Sequence, residues 1–258
     1  MSALGATRAL VWREWARLLR QPARIVATIG TPVVLLAALG AGFAGSISGL
    51  MGVEDSRAYS AFLLPGMISM AALFAAVFGS ISLIEDRDSG LLRVLLAGPA
   101  PSGSIVGSKL IGVGMPAFVQ ALILLPACWI LGVSPSVTGF FLSVLAVAML
   151  TFGITGISLA LAWRVKGTQD FHAIMNTVLM PMWVVSGAFY PASEAATPIR
   201  WLTMVNPLAW PTDAARSALA GEPSALFGAW VWPLALVFCL GGIGLSMNTI
   251  RQGKRRNV

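Results

Sequence analysis

Six stretches of this chain, residues 25–45, 61–84, 106–132, 137–162, 172–190 and 229–250, continue for about twenty residues or more with almost no ionised side chain. A helix of that length, rising about 1.5 Å per residue, covers the roughly 30 Å hydrocarbon layer of a bilayer. The runs lack the alternating pattern of barrel strands, and over such lengths in lipid only helices satisfy their own backbone hydrogen bonds. Composition agrees, because 10% of the 258 residues are charged and mean hydropathy is +0.83, whereas a soluble domain carries about 25% charged residues. The expected fold is an all-α membrane protein with six transmembrane helices in a single domain, 1–258.

Charge placement orients these spans. Fourteen Lys and Arg fall in 1–24, 85–109, 163–171 and beyond 250, against three in 46–60, 133–136 and 191–228. The positive-inside rule puts the rich set, which holds both termini, in the cytoplasm and requires an even number of spans. Loops 46–60 and 191–228 then face outward with Glu54, Asp55, Glu194, Asp213 and Glu222. The net charge of +7 reads as affinity for membrane lipids and not for nucleic acid. The first apolar run is too long for a signal-peptide core and is expected to stay as an anchor. Glycine and arginine usage fits a bacterium, so a multi-pass protein of the bacterial cytoplasmic (inner) membrane is expected. Cys128 and Cys239 lie in apolar segments without metal-type spacing, so they read as small buried hydrophobes, and no metal site is expected.

On a helical wheel of residues 1–24, Leu4, Val11, Trp15, Leu18 and Leu19 fall on one side and Arg13, Arg17, Arg20 and Arg24 on the other, with Arg8 interrupting the apolar side. This pattern predicts a helix lying in the interface with arginines on anionic lipid phosphates, ended by Pro22. A plain topology signal is the alternative. Segment 191–228 is too apolar for a free loop and too polar for a span. Trp201, Leu202, Val205, Leu208 and Trp210 are interspersed with Pro198, Pro207 and Pro211, which predicts short broken helices forming an outer re-entrant segment before the last span.

Glu85, Asp86, Arg87 and Asp88 open the cytoplasmic segment 85–105, where Leu91, Leu92, Val94, Leu95 and Leu96 precede Pro99 and Pro101. Charges at a membrane boundary often serve only as a stop. So many large apolar residues in a loop instead suit a short helix that docks on a cytoplasmic partner. In the order Arg87, Asp88, Gly90, Leu92, Leu95, Leu96, Pro99, this segment resembles the signature of the type-2 ATP-binding-cassette (ABC) exporter permeases, which include drug, lipo-oligosaccharide and polysaccharide exporters. Asp88, Leu91 and Arg93 depart from that pattern. Pro65-Gly66, Ser186-Gly187 with Pro191, and Asn206-Pro207-Leu208 followed by Asp213 and Arg216 are similar to further family elements, so the resemblance covers residues 8 to 250.

The resemblance implies a permease subunit of an exporter, not an enzyme by itself. It also implies that 85–101 is a coupling helix fitting cytoplasmic ABC ATPase subunits, and that the chain pairs with a second copy or a related permease. The chain has no stretch of the Gly-x-x-x-x-Gly-Lys-Ser/Thr kind. ATP and Mg are therefore expected on the partner ATPase, with no cofactor bound by this chain. Gly90, Pro99 and Pro101 would bound a lever between the ATPase and the spans.

Phe74, Phe78, Trp183 and Phe189 are candidate walls of a path for an amphipathic drug, lipid or lipid-linked glycan. Gln120, Thr151, Thr155 and Asn176 are candidate polar positions on it, with helix-to-helix hydrogen bonds as the plainer reading. Gly107, Gly112, Gly114, Gly153 and Gly156 offer faces for close packing, within the chain or between subunits. A secondary transporter is the alternative function, although no ionisable residue sits at the centre of a span. An intramembrane hydrolase is a further alternative, resting on His172 beside Asp170 and Asn176 but lacking a nucleophile turn.

Overall fold

A computed structural model of the chain describes residues 3–51, 57–92, 94 and 102–256. Among these the secondary structure is helical throughout: α1 Ala3–Leu19, α2 Pro22–Met51, α3 Ala58–Asp88, α4 Ser102–Leu122, α5 Ala127–Ile130, α6 Val137–Arg164, α7 Thr168–Ile174, α8 Met180–Val184, α9 Thr197–Val205, α10 Ala209–Ala220 and α11 Val231–Arg256. A π-helical turn, Met175–Leu179, joins α7 to α8. The chain is an all-α membrane protein. Five stretches among the described residues are long and apolar enough to cross a bilayer: Pro22–Phe43, Ala58–Asp88, Val106–Ile130, Val137–Arg164 and Val231–Ile250.

The stretch 172–190 is built differently from the continuous span expected of it. Its helix runs from Thr168 to Val184 in α, π and α turns, and the chain then bends through Ser186–Tyr190, with Gly187 at φ +77°. The bend is fixed by a close approach. A Cβ on Gly66 would come within 2.6–2.8 Å of Ala188, so the Pro65-Gly66 step of α3 lets the two backbones touch. The Trp183 indole N–H donates to the Gly66 carbonyl at 3.0 Å and lies 3.1 Å from Ser69 Oγ, locking the contact.

Helix α3 is the centre of the molecule. In its most apolar window 83% of residues are buried, against 22% for α2. Its nearly uniform Leu, Ala, Met and Ile surface suits burial on all sides rather than on one stripe. Around it pack α2, α4 and α6, and α11 lies along α6. That last contact is a glycine seam: a Cβ on Gly156 would meet the Gly242 backbone at 2.3 Å, and one on Gly242 would meet the Gly153 carbonyl at 2.2 Å. Gly153 and Gly156 thus serve packing inside the chain.

At the N-terminal end of α3, α9 and α10 fold over the bend. The Asn206 amide donates to the Met182 carbonyl at 2.5 Å, and its own carbonyl accepts from Leu208 N–H at 3.0 Å. Arg216 donates to the Gly187 carbonyl at 2.8 Å and to Asp213 at 3.1 Å, and its guanidinium lies 4.4 Å from the Phe62 ring centre. Pro207 permits the break between α9 and α10 because it cannot continue a helix. Short broken helices are therefore present in 191–228.

Candidate functional site

The other end of α3 carries a buried cluster of charges contributed by α1, α3 and α4. Lys109 Nζ donates to Glu14 at 2.7 Å, to Asp86 at 2.5 Å and to Ser82 Oγ at 3.1 Å. Arg13 meets both oxygens of Asp86, with Nη1 at 3.0 Å from Oδ2. Arg17 reaches Asp86 at 3.3 Å and Glu85 at 3.4 Å. Glu14, Asp86 and Lys109 are 7%, 0% and 4% exposed. Such charges persist away from water only when paired and hydrogen-bonded, as all three are. The two-pronged bond to Asp86 raises the Arg13 pKa above the ordinary guanidinium value, ahead of the opposing effect of desolvation.

Local sequence explains how α1 gets close enough. Gly112 of α4 faces α1 so tightly that a Cβ there would meet Glu14 Cγ at 2.9 Å and Val11 Cα at 3.5 Å. The arginine side of α1 consequently meets protein acids at Arg13 and Arg17, while Arg20 is exposed. The outward face of α1 carries Trp12, 72% exposed, and Leu19, 64% exposed. The wheel also carried Arg24 on this helix, whereas α1 ends at Leu19 and Arg24 falls in the first turn of α2, and it could not show that the basic side has acidic partners on α3.

Helix spacing divides the four charges that close α3. Asp86 points in. Glu85 and Asp88 point out, with side chains 51% and 61% exposed. Arg87 donates to the carbonyls of Trp163 at 3.3 Å, in the last turn of α6, and of Lys166 at 3.0 Å, just beyond it, so it ties α3 to the end of α6. The helix stops at Ser89, and Gly90 at φ +76° reverses the chain. Leu92 then turns into the core at 3% exposed, which corrects its expected place on a docking face, whereas Val94 is 70% exposed. Leu95, Leu96 and Pro99, with Arg93 and Pro101, lie outside the described residues.

The candidate path residues separate into interior and surface. Gln120 is buried and accepts from Thr28 Oγ at 2.5 Å, joining α4 to α2. Thr151 is buried and donates to the Val147 carbonyl of its own helix at 2.7 Å; Thr155 is also buried. These three therefore line no open path. Trp183 is buried on α3 with Phe189 against it, ring centres 4.8 Å apart, and Asn176 is exposed. Phe74 and Phe78 stack at 5.9 Å on the part of α3 that other helices cover only partly, and Phe78 lies 6.2 Å from the His172 ring.

A bundle of membrane-length helices, with a paired charge cluster at one end and a short helical cap at the other, is the build of a multi-pass membrane protein. Residues 5–220 match the profile of the ABC-2 type transporter family, and the chain belongs to that family. It is 28% identical over 210 residues to the transport permease ycf38 of Porphyra purpurea, covering 81% of this chain and 72% of that one. It is also 28% identical over 225 residues to Nodulation protein J of Rhizobium leguminosarum bv. viciae, covering 84% and 80%. The ycf38 permease of Cyanophora paradoxa is 26% identical over 228 residues, covering 88% and 78%.

Proposed function

We propose that this subunit is the membrane half of an ATP-driven exporter whose ATPase is a separate cytoplasmic chain, carrying the ATP and Mg. The observation that carries the reading is the Glu14–Lys109–Asp86–Arg13 cluster. It joins α1, α3 and α4 into one body immediately above the Gly90 turn, where segment 85–105 begins. A push on that segment would then move three helices together, since charges paired at 2.5–3.0 Å in a water-poor site cannot separate cheaply. Glu85, Asp88 and Val94 supply the outward-facing side of the contact. Arg87 extends the same body to the end of α6.

In this reading both termini and segment 85–105 face the cytoplasm of a bacterial inner membrane, and α9 and α10 form the outer re-entrant segment. Exposed Trp12 at one end and Trp129, Trp201 and Trp230 at the other fit the interfacial belts of a bilayer. The exporter would contain two permease chains, identical or related, and two ATPases. Its cargo would be an amphipathic drug, lipid or lipid-linked glycan passing along Phe74 and Phe78.

The test is purification of the tagged permease from its native membrane, followed by reconstitution in vesicles. A stoichiometric soluble subunit with a phosphate-binding loop, and ATP hydrolysis stimulated by lipids or hydrophobic drugs, are expected. Stimulation by small ions or sugars alone would sink the substrate class. The buried Lys109 and Asp86 give a secondary transporter its one supporting observation, but both sit near the charged end of the bundle and not at its middle. Transport driven by a proton gradient without ATP would favour that reading instead.

A further inference from the structure

Between Leu63 and Asp86, α3 is buried at every position except Phe74, Phe78, Ile81 and Glu85. Spacings of four, three and four place these on one stripe of a helix. At the lower part of that stripe is an open groove of about 310 Å³, with Arg17, Gln21 and Arg24 on one side, Phe78, Ile81, Ser82 and Glu85 along α3, and His172 opposite; Glu85, its one carboxylate, is paired with Arg17 at 3.4 Å.

The two arginines in it differ in what they already hold. Arg17 is engaged with Asp86 and Glu85. Arg24 has no carboxylate within ion-pair distance among the described residues, and its one side-chain hydrogen bond there is to Gln21 Oε1 at 3.3 Å. Its Nε is buried with no partner. The guanidinium lies across Gly79, where an added Cβ would stand 3.2 Å from Nη2. A guanidinium offers five donors in a planar fork matched to oxyanions, and a partly desolvated one whose nearest carboxylates, Glu14 and Glu85, act on it only from beyond ion-pair distance is incompletely compensated. Beside it, Gln21 and His172 can donate as well, and above it the stacked Phe74 and Phe78 present an apolar wall.

We propose that this groove binds an amphiphile with a phosphate-type headgroup. The oxyanion sits on Arg24, helped by Gln21 and His172, and the apolar body lies along Phe74 and Phe78. The proposal rests on the exporter reading only in treating this ligand as cargo.

The test is equilibrium binding of radiolabelled short-chain phosphatidic acid to the full-length permease in neutral detergent, without any ATPase. The matching diacylglycerol and inorganic phosphate serve as competitors. Arg24→Gln is expected to weaken binding about tenfold, about 1.4 kcal/mol, and Arg24→Lys less, while Arg20→Gln, at the exposed turn after α1, leaves it unchanged. Should Arg24→Gln fail to fold, His172→Asn is the variant to use, with several-fold weaker binding expected. Undiminished binding by the folded variant overturns the site. Competition by the neutral diacylglycerol as strong as by unlabelled phosphatidic acid removes the headgroup, and equally strong competition by inorganic phosphate removes the amphiphile. Failure here leaves the coupling cluster untouched, and absence of an ATPase partner leaves this binding measurement untouched.

Discussion

Replacing Lys109 with Met removes the cation that hydrogen-bonds to both buried carboxylates of the cluster. Asp86 would keep Arg13 at 3.0 Å and Arg17 at 3.3 Å. Glu14, 7% exposed, would lose its hydrogen-bonded cation and keep only the looser pairs with Arg13 at 3.7 Å and Arg17 at 3.9 Å. Breaking a buried pair by removing one partner costs about 3–5 kcal/mol, and the lower figure applies because Arg13 can swing toward Glu14. With each kcal/mol worth about 2–4 °C, the melting temperature should fall by about 6–12 °C. Adding Glu14→Gln removes the undercompensated charge and should restore about half of the loss, a coupling of at least about 1.5 kcal/mol between the two positions. Cys128, fully buried, is the reporter: in a Cys239→Ala background its reaction with a thiol dye during heating marks unfolding. A Lys109→Met protein melting within about 1 °C of the parent, or a double variant whose loss is the sum of the singles, would refute the idea that these charges hold α1 to α4.

Two further outcomes test the packing and the docking side. Leu92→Asp should unfold the protein by burying an unpaired carboxylate, at a cost above about 3 kcal/mol. Val94→Asp should leave stability within about 0.5 kcal/mol yet reduce copurification of the ATPase; full retention would place docking elsewhere. Gly156→Leu drives a side chain into the Gly242 backbone, so α6 and α11 must separate, with a loss of at least about 1–3 kcal/mol expected in the same thiol assay. An unchanged melting temperature would mean the seam is not as close as described.

Much of the fold was legible because bilayer thickness and backbone hydrogen bonding leave few choices for long apolar runs. The stretch at 172–190 was harder, since hydropathy averages over a window and is blind to a π turn at Met175–Leu179 or to a bend held by Gly66 against Ala188. Within the site, the four charges at 85–88 marked the right place, yet sequence alone could not say that Asp86 and Arg87 face protein while Glu85 and Asp88 face outward. Position along a helix decides that, together with partners 70 or more residues away, such as Arg13 and Trp163. Lys109 was counted only as a boundary charge. The available signal was its place in a run of apolar and small residues, Val106 to Pro116, where an isolated cation calls for a buried acid. Leu92 looked like docking surface because a leucine in a cytoplasmic loop appears exposed until the Gly90 reversal folds it back onto the bundle.

The narrow opening on α3 also limits how such a protein can be altered. A helix enclosed nearly throughout from Leu63 to Asp86 leaves few codons there free to change without disturbing neighbours, and those clear of the Arg17 pair and the docking contact are Phe74, Phe78 and Ile81. Divergence in what is carried would therefore concentrate at these positions while the rest of α3 stays constrained by volume. A combinatorial library restricted to them would sample new ligand preferences on an unchanged scaffold.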